Sequence, residues 1–312
     1  MEEWTFSSTP PPGWLDLCES ASAVFGSTGW QQALESSFGC KTLYAFAGNA
    51  GVAITVFKAG PFSVGYLGFP VGSVIGRPAV LDPIMSQLAA RKPAPRLTCV
   101  RIPVSAFGPD AALEHASVSN PETAIADLQQ WDLMGVSKNL RRDIRKAERS
   151  DVTVERTTDA SHGAVLYGMY ESAVKHHGGS LRYNATYFSA VLELAANSER
   201  INVFIARLDR DIIGFAVIVH HGDTAYYLHG GATAELRQLS PSDLILAEAI
   251  ASARSAGCSE FSFMASPADQ PTLVRYKEKW GAETRTLRTY TVQLSRAYPL
   301  FKAAEGLYRL IS

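Results

Sequence analysis

The residues best suited to chemistry cluster between Thr224 and Ala282. A polar turn, Arg237-Gln238-Leu239-Ser240-Pro241-Ser242-Asp243, leads into an apolar-periodic run that Gly257 ends. Ser240 suits a capping position and Pro241 the first helical one. Such a turn aims free backbone N–H groups outward, so Arg237, Ser240 and Ser242 are candidates for holding an anion. The stretch before it, Tyr226-Tyr227-Leu228-His229-Gly230-Gly231, alternates as a strand, which puts Tyr227 and His229 on one face. A near-neutral imidazole can take a proton there, and Tyr227 can give one or position a substrate; a lone strand histidine also serves structurally. Thr272 to Trp280 reads as a helix carrying Lys277 and Lys279, stopped by Gly281.

Two other groups stand apart. His176-His177, at a predicted helix end before Gly178-Gly179, can bind an anionic acceptor together with Arg182. A histidine at a helix C-terminus also simply offsets the dipole. Ser137 to Ser150 (SKNLRRDIRKAERS) forms a helix with Lys138, Arg142, Arg145 and Arg149 on one side and Leu140, Ile144 and Ala147 opposite. Clustered arginines suit phosphate oxygens, so Arg142 and Arg145 are candidates for a phosphorylated ligand or an RNA acceptor stem. The competing reading is a solvated linker helix partly self-paired through Asp143 and Glu148. No metal is expected, since H-E-x-x-H is missing and His220-His221 lacks a carboxylate at ligand spacing. No G-x-S-x-G, Cys–His pair or Gly-rich dinucleotide motif is present either.

The elements that must position these groups fall into two halves. Trp14 to Phe38 is mostly helical, with a break at Gly26–Gly29. Leu43 to Phe46 and Val52 to Phe57 form a hairpin around Gly48-Asn49-Ala50-Gly51, and Phe62 to Phe69 adds a strand. A helix over Ala79 to Arg91, a strand over Leu97 to Ile102 and a strand opening at Glu122 complete the first half. The glycines between Phe62 and Gly76 imply close backbone approach, either to a neighbouring element or to a ligand. After the basic helix come a strand (Val152 to Glu155), helices (His162 to His177, Thr186 to Asn197) and strands (Ile201 to Arg207, Ile212 to His220). The Thr224–Ala282 elements follow, and Arg285 to Leu294 closes as a strand. This is an α/β protein of two related units, each a mixed β-sheet flanked by helices. The boundaries fall at residues 1–136, a basic linker helix 137–150, a second domain 151–296 and an amphipathic tail 297–312. The tail puts Leu300, Phe301, Ala304, Leu307, Tyr308 and Ile311 on one face, favouring docking on its own domain over peripheral membrane contact.

Bulk properties fit this division. With 312 residues there is room for two ordinary domains, and 46% hydrophobic with 19% charged residues is a globular composition. The formal net charge of −1 excludes a global polyanion binder, and DNA is not an expected partner; any charged partner must meet a local patch. Cys18, Cys40, Cys99 and Cys258 are scattered, which favours structural thiols in a reducing compartment. The first residues lack a basic and an apolar export segment, so the cytoplasm is expected.

The order of elements in the second half resembles the GNAT acyltransferase fold, and the chain resembles FemAB-type proteins built of two GNAT-like domains in tandem. The basic S-K-N-L-R-R-D-I-R-K-A-E-R helix, the Y-Y-L-H-G-G-A strand and R-Y-K-E-K-W-G-A carry the likeness, strongest from about Ser137 to Gly281. The resemblance implies transfer of an acyl or aminoacyl group to an amine in peptidoglycan or exopolysaccharide synthesis, with acyl-CoA or aminoacyl-tRNA as donor. It places the Lys277 ammonium near the donor ester, against the plainer reading of a surface lysine beside Glu278, and Tyr276 against the donor's terminal group. It makes His229 the candidate base for the amine proton, with Tyr227 beside it. Tyr66, in the Gly-rich segment, becomes the acceptor-facing residue of the first half. The family's usual R/Q-x-x-G-x-G/A turn is here Arg237-Gln-Leu-Ser240-Pro241-Ser242, with both glycines replaced, and Pro241 has no N–H for a pyrophosphate. That favours a donor other than conventional acetyl-CoA. The contrasting expectation is a catalytically silent GNAT-like binding or scaffold protein.

Overall fold

The computed structural model describes residues 3–76, 81–93, 95–104, 117–176 and 179–311, the side chains of 81–82 and 307–311 excepted. In chain order the strands and helices are β1 (Thr5–Ser7), α1 (Trp14–Ser20), α2 (Thr28–Phe38), β2 (Lys41–Ala47), β3 (Ala50–Ala59), β4 (Phe62–Leu67), α3 (Leu81–Arg91), β5 (Cys99–Val104) and β6 (Ser117–Ile125). They continue with α4 (Lys138–Arg149), β7 (Thr153–Arg156), α5 (Gly163–His176), α6 (Ala185–Ala196), β8 (Ile201–Leu208), β9 (Asp211–His221) and β10 (Thr224–Ala232). Last come α7 (Pro241–Ser255), β11 (Glu260–Ala265), α8 (Pro271–Glu278), β12 (Glu283–Gln293) and α9 (Tyr298–Ile311).

Two compact units result: Met1–Asn120 with Thr286–Ser312, and Pro121–Arg285. In the first, β1 to β4 pair antiparallel in sequence, β4 pairs parallel with β5, and β5 pairs antiparallel with β12. In the second, β7 to β10 run antiparallel in sequence, β10 pairs parallel with β11, and β11 antiparallel with β6. The two pairing schemes are the same, as the likeness of the two halves suggests. The sequence makes Arg285 to Leu294 the closing strand of the second half; instead Arg288–Gln293 pair with Val104–Cys99. Alternation in a sequence fixes the faces of a strand but not its neighbour.

The first unit's core is built on the inner faces of β2 to β5, with Leu43, Ile54, Leu67, Val100 and Ile102 packed on Trp4, Ile84 and Leu88. Its C-terminal helix docks on the other face of β4 and β5, where Phe301 packs with Val64 and Cys99 and its ring meets Phe62 at 5.5 Å. Arg101, stacked on Tyr66, pairs with Glu305 of that helix. Leu300, expected on the docked face, is 69% exposed. The side chains of Leu307, Tyr308 and Ile311 lie outside the described residues.

The second unit's core joins α4 and α7 on one face of the sheet. Ser137 caps α4, accepting from the Leu140 N–H at 3.3 Å, and Leu140, Ile144 and Ala147 are its buried stripe. On β9, Ala216 and Ile218 turn to this face, whereas Phe215 turns to the other, its ring 5.7 Å from Phe188 of α6. All four cysteines are buried and unpaired, and burial pushes the Cys18 and Cys40 thiols up to about 12.

Candidate active site

The second unit's sheet opens where two bulges coincide. β10 and β11 pair only from Thr224–Tyr226 to Glu260–Ser262, yet both run on, β10 to Ala232 and β11 to Ala265. On β11 the register to β6 slips between Ser262 and Ala265, and Met264 inside the slip takes a left-handed φ of 61°. A non-glycine residue held there stores strain, a feature that concentrates at functional sites. Past Tyr226 and Ser262 the two strands no longer pair with each other, and the Met264 carbonyl turns instead to Lys277.

Lys277 stands at this place. Leu273, Tyr276 and Lys277 of α8 form an inward stripe that continues into Trp280 just past the helix end, and Trp280 is fully buried. Lys277 is therefore inside, at 5% exposure, and not the surface lysine of the alternative reading. Its Nζ donates to the Met264 carbonyl at 3.0 Å and to Ser266 Oγ at 2.8 Å. Burial pulls the ammonium down from 10.5 to about 7, while the nearby Glu122 carboxylate acts the other way. A lysine so placed can carry or release a proton near neutral pH.

A second group gathers at the start of α7. Tyr276 donates its hydroxyl proton to Asp243 Oδ1 at 2.8 Å, tying α8 to α7. Burial raises the Asp243 carboxyl, which the Tyr276 bond partly offsets. One face of the Tyr276 ring meets Lys279 Nζ at 5.9 Å, so the ring reserved for stacking on a donor already has a cationic neighbour. Tyr227 packs on the same core, 6.3 Å from the Phe263 ring, and burial lifts its hydroxyl to about 12. Its ring crosses Gly230, where a Cβ would lie 2.0 Å from the hydroxyl, so this position requires glycine.

The expected cap at Ser240 is not made. Ser240 adopts φ 57°, ψ 41°, its side chain caps nothing, and its carbonyl takes the Asp243 N–H at 3.1 Å. Pro241 has no N–H, so of the first three helical positions only Ser242 keeps an outward donor. The Asp243 carboxyl meanwhile occupies the positive end of the helix dipole. Arg237 lies half-buried in a turn of 3-10 helix just before. The turn thus offers one outward backbone N–H beside Arg237, fewer donors than the glycine-bearing form of this turn supplies.

His229 and Tyr227 do not share a face. A bulge between them breaks the alternation, pairing Tyr227 with Ile218 and His229 with Val217. His229 thus turns to α5 and α6, inside a cage of Tyr170, Tyr183, Tyr187 and Phe188 rings 4.3–5.9 Å away. Its Nε2 is hydrogen-bonded to the Tyr187 hydroxyl at 3.0 Å. Burial pushes it down to about 3, so it is neutral, weakly basic and shut from solvent, which does not suit the base role. His220 is held down to about 4 by burial, Arg156 and Arg200, and His221 to about 4 by burial and Arg200. Near the ordinary value of 6.5 the unfolded chain binds protons that these native histidines refuse. Stability to urea is therefore expected to fall as pH drops from 6.5 toward about 4, and His229→Gln to remove part of that slope.

Arg182 is exposed and its backbone N–H donates to the Tyr170 hydroxyl at 3.3 Å; His176 is exposed at the end of α5, and His177 lies outside the described residues. Tyr66 belongs to the first unit, where its hydroxyl accepts from Arg101 at 2.7 Å. On α4, exposed Arg142 and Arg145 line a surface groove of about 600 Å³ with Lys138, half-buried Arg141, Lys146 and Arg149. Among the described residues only Arg142 of these makes an ion pair, to Asp143 at 3.3 Å; the expected pairing through Glu148 is not formed. The residue that sequence reasoning missed is Glu122, read only as a strand start. It is 4% exposed on β6, beside the bulge that holds Lys277.

Residues 135–278 match the family profile described as Acetyltransferase (GNAT) domain, a span that ends one residue after Lys277. No curated protein matches the sequence. Among solved structures the chain is similar to FemX, at 12% identity and a TM-score of 0.69, covering 96% of this chain and 99% of that one. It is also similar to the C-terminal domain (DUF2156) of a putative lysylphosphatidylglycerol synthetase from Agrobacterium fabrum, at 15% identity and a TM-score of 0.63, covering 93% and 94%. A tandem GNAT protein from the clavulanic acid biosynthesis pathway matches at 11% identity and a TM-score of 0.51, over 94% and 99%. At these identities the likeness is one of fold: a FemAB-like pair of GNAT-type units.

Proposed function

We propose that this chain, with a GNAT domain over residues 135–278 and the fold of FemX, is an acyltransferase of cell-envelope synthesis. It joins an acyl or aminoacyl group, carried as an ester or thioester, to the amine of an envelope precursor. The observation that carries this reading is Lys277, buried where β10 and β11 part and bonded to Met264 and Ser266. As the acceptor amine attacks the donor carbonyl, negative charge gathers on its oxygen, and the ammonium that Lys277 becomes on taking the amine's proton offsets it strongly in a dry site. Tyr227 and Tyr276 shape the donor side of the site. Envelope chemistry is supported by the likeness to the Agrobacterium neighbour, a putative lysylphosphatidylglycerol synthetase.

Aminoacyl-tRNA is the donor favoured over acyl-CoA. The start of α7 offers the Ser242 N–H, Arg237 and a carboxyl already in place, a poor seat for two adjoining phosphates. The α4 helix, six cationic residues against two acidic ones, packs on α7 and offers spaced guanidinium groups to an RNA backbone. Replacing Arg142 and Arg145 by alanine is expected to weaken tRNA binding and lower its salt slope by about 2, one per lost phosphate contact. Filter binding across a salt series measures it; an unchanged slope leaves α4 outside the donor site.

A further inference from the structure

We propose that Glu122 is the positioning residue of Lys277: its carboxylate, built into the bulged edge of β6 and β11, holds the lysine ready to change charge during transfer. This rests on the reading of Lys277 as the reacting group and goes beyond it, to what makes a buried lysine usable.

The connection is continuous. Ser262, fully buried, donates its hydroxyl proton to Glu122 Oε1 at 3.3 Å and accepts the Met264 N–H at 3.1 Å. The Met264 carbonyl then takes the Lys277 ammonium at 3.0 Å. From the other side Ser266, 1% exposed, accepts from Lys277 at 2.8 Å, and its own N–H donates to the Pro121 carbonyl at 2.8 Å, next to Glu122. The register slip between Ser262 and Ala265 turns the Met264 carbonyl toward α8. The chain therefore commits a buried carboxylate, two buried hydroxyls and one strained residue to a single amine. A structural role does not require this, since a methionine would fill the space with no buried charge. Charged and titratable groups nearby are Glu260 on β11, Tyr226 on β10, Arg285 on β12, Glu278 on α8 itself and Lys279 at its C-terminal cap. Glu122 is the one that acts on Lys277, and it also raises Glu260 and Tyr226.

The step balances without a further reagent. A bond forms between the acceptor nitrogen and the donor carbonyl carbon, and the carbonyl π pair moves to oxygen. The amine's proton passes to neutral Lys277, and the new ammonium faces the oxyanion. On collapse the bond to the leaving oxygen or sulfur breaks, and Lys277 returns its proton there. Glu122 keeps its charge throughout and lowers the cost of the ammonium state.

The test is NMR titration of ¹³C-lysine-labelled protein, with the Lys277 signal assigned by its loss in Lys277→Met. Glu122→Gln should lower the Lys277 midpoint by about one pH unit or more, a tenfold loss of proton affinity. The acid limb of kcat/KM should move down with it, since the base is then neutral at lower pH. Glu122→Asp, which keeps the charge, should hold the midpoint near that of the wild type and serves as the folding control. If Glu122→Gln does not fold, Glu122→Ala with Ser262→Ala is titrated in its place. A Lys277 midpoint unmoved by loss of the carboxylate overturns the proposal. Full transfer by Lys277→Met would instead sink the reading it rests on, while the titration still decides the hold of Glu122 on Lys277.

Discussion

Lys277→Met is expected to lower kcat by about 100- to 10,000-fold, the range for losing a positioned acid–base group, with little loss of stability. Methionine matches the length of the side chain and forgoes a buried charge. The same change should alter how stability responds to pH. Lys277 titrates near 7 in the fold against 10.5 when unfolded, so between these values the unfolded chain holds a proton that the native state lacks. Wild-type stability should therefore carry an upward slope with pH over that window, and its burial penalty should be full below about 7. The methionine variant should lose that slope. Chemical denaturation at several pH values measures it, alongside turnover with a fixed donor. Equal turnover in variant and wild type removes Lys277 from the reaction.

Trp280→Ala, three residues on, should show the opposite division. Trp280 is fully buried in the core of the second unit, and its carbonyl accepts from Trp131 Nε1 at 2.8 Å. Truncating an indole in such a place costs about 3–5 kcal/mol, through lost burial and the cavity left behind. It should also loosen α8, whose inward stripe holds Lys277, so activity should fall in proportion to the fraction unfolded or misplaced. Guanidinium melts set against activity at low temperature separate the two effects. Activity lost with no loss of stability would show that Trp280 acts at the site itself and not as its anchor.

Much of this arrangement was legible in the chain. The strand, turn, helix, strand and helix between Thr224 and Ala282 follow from alternation, Pro241 and the glycine stops at Gly257 and Gly281. The inward place of Lys277 could also have been read, from its membership in the stripe of Leu273, Tyr276 and Trp280. What could not be read are the two bulges. A strand with one extra residue looks like any other in sequence, yet it sent His229 to the opposite face from Tyr227. Glu122 was hidden for a related reason, since its meaning comes from pairing with a strand some 140 residues away. Ser240 has the residue type of a cap, but its left-handed backbone turns the side chain from that task.

The most direct test of acyl transfer at Lys277 needs no knowledge of the acceptor. Hydroxylamine is a small amine nucleophile, and its acyl product is a hydroxamate that can be measured against the uncatalysed rate. Purified protein is supplied with aminoacyl-tRNA in one series and acetyl-CoA in another. The account predicts protein-dependent hydroxamate from aminoacyl-tRNA, much less from acetyl-CoA, and none above background with Lys277→Met. Failure of both donors at saturation, or an equal rate from the methionine variant, would contradict it.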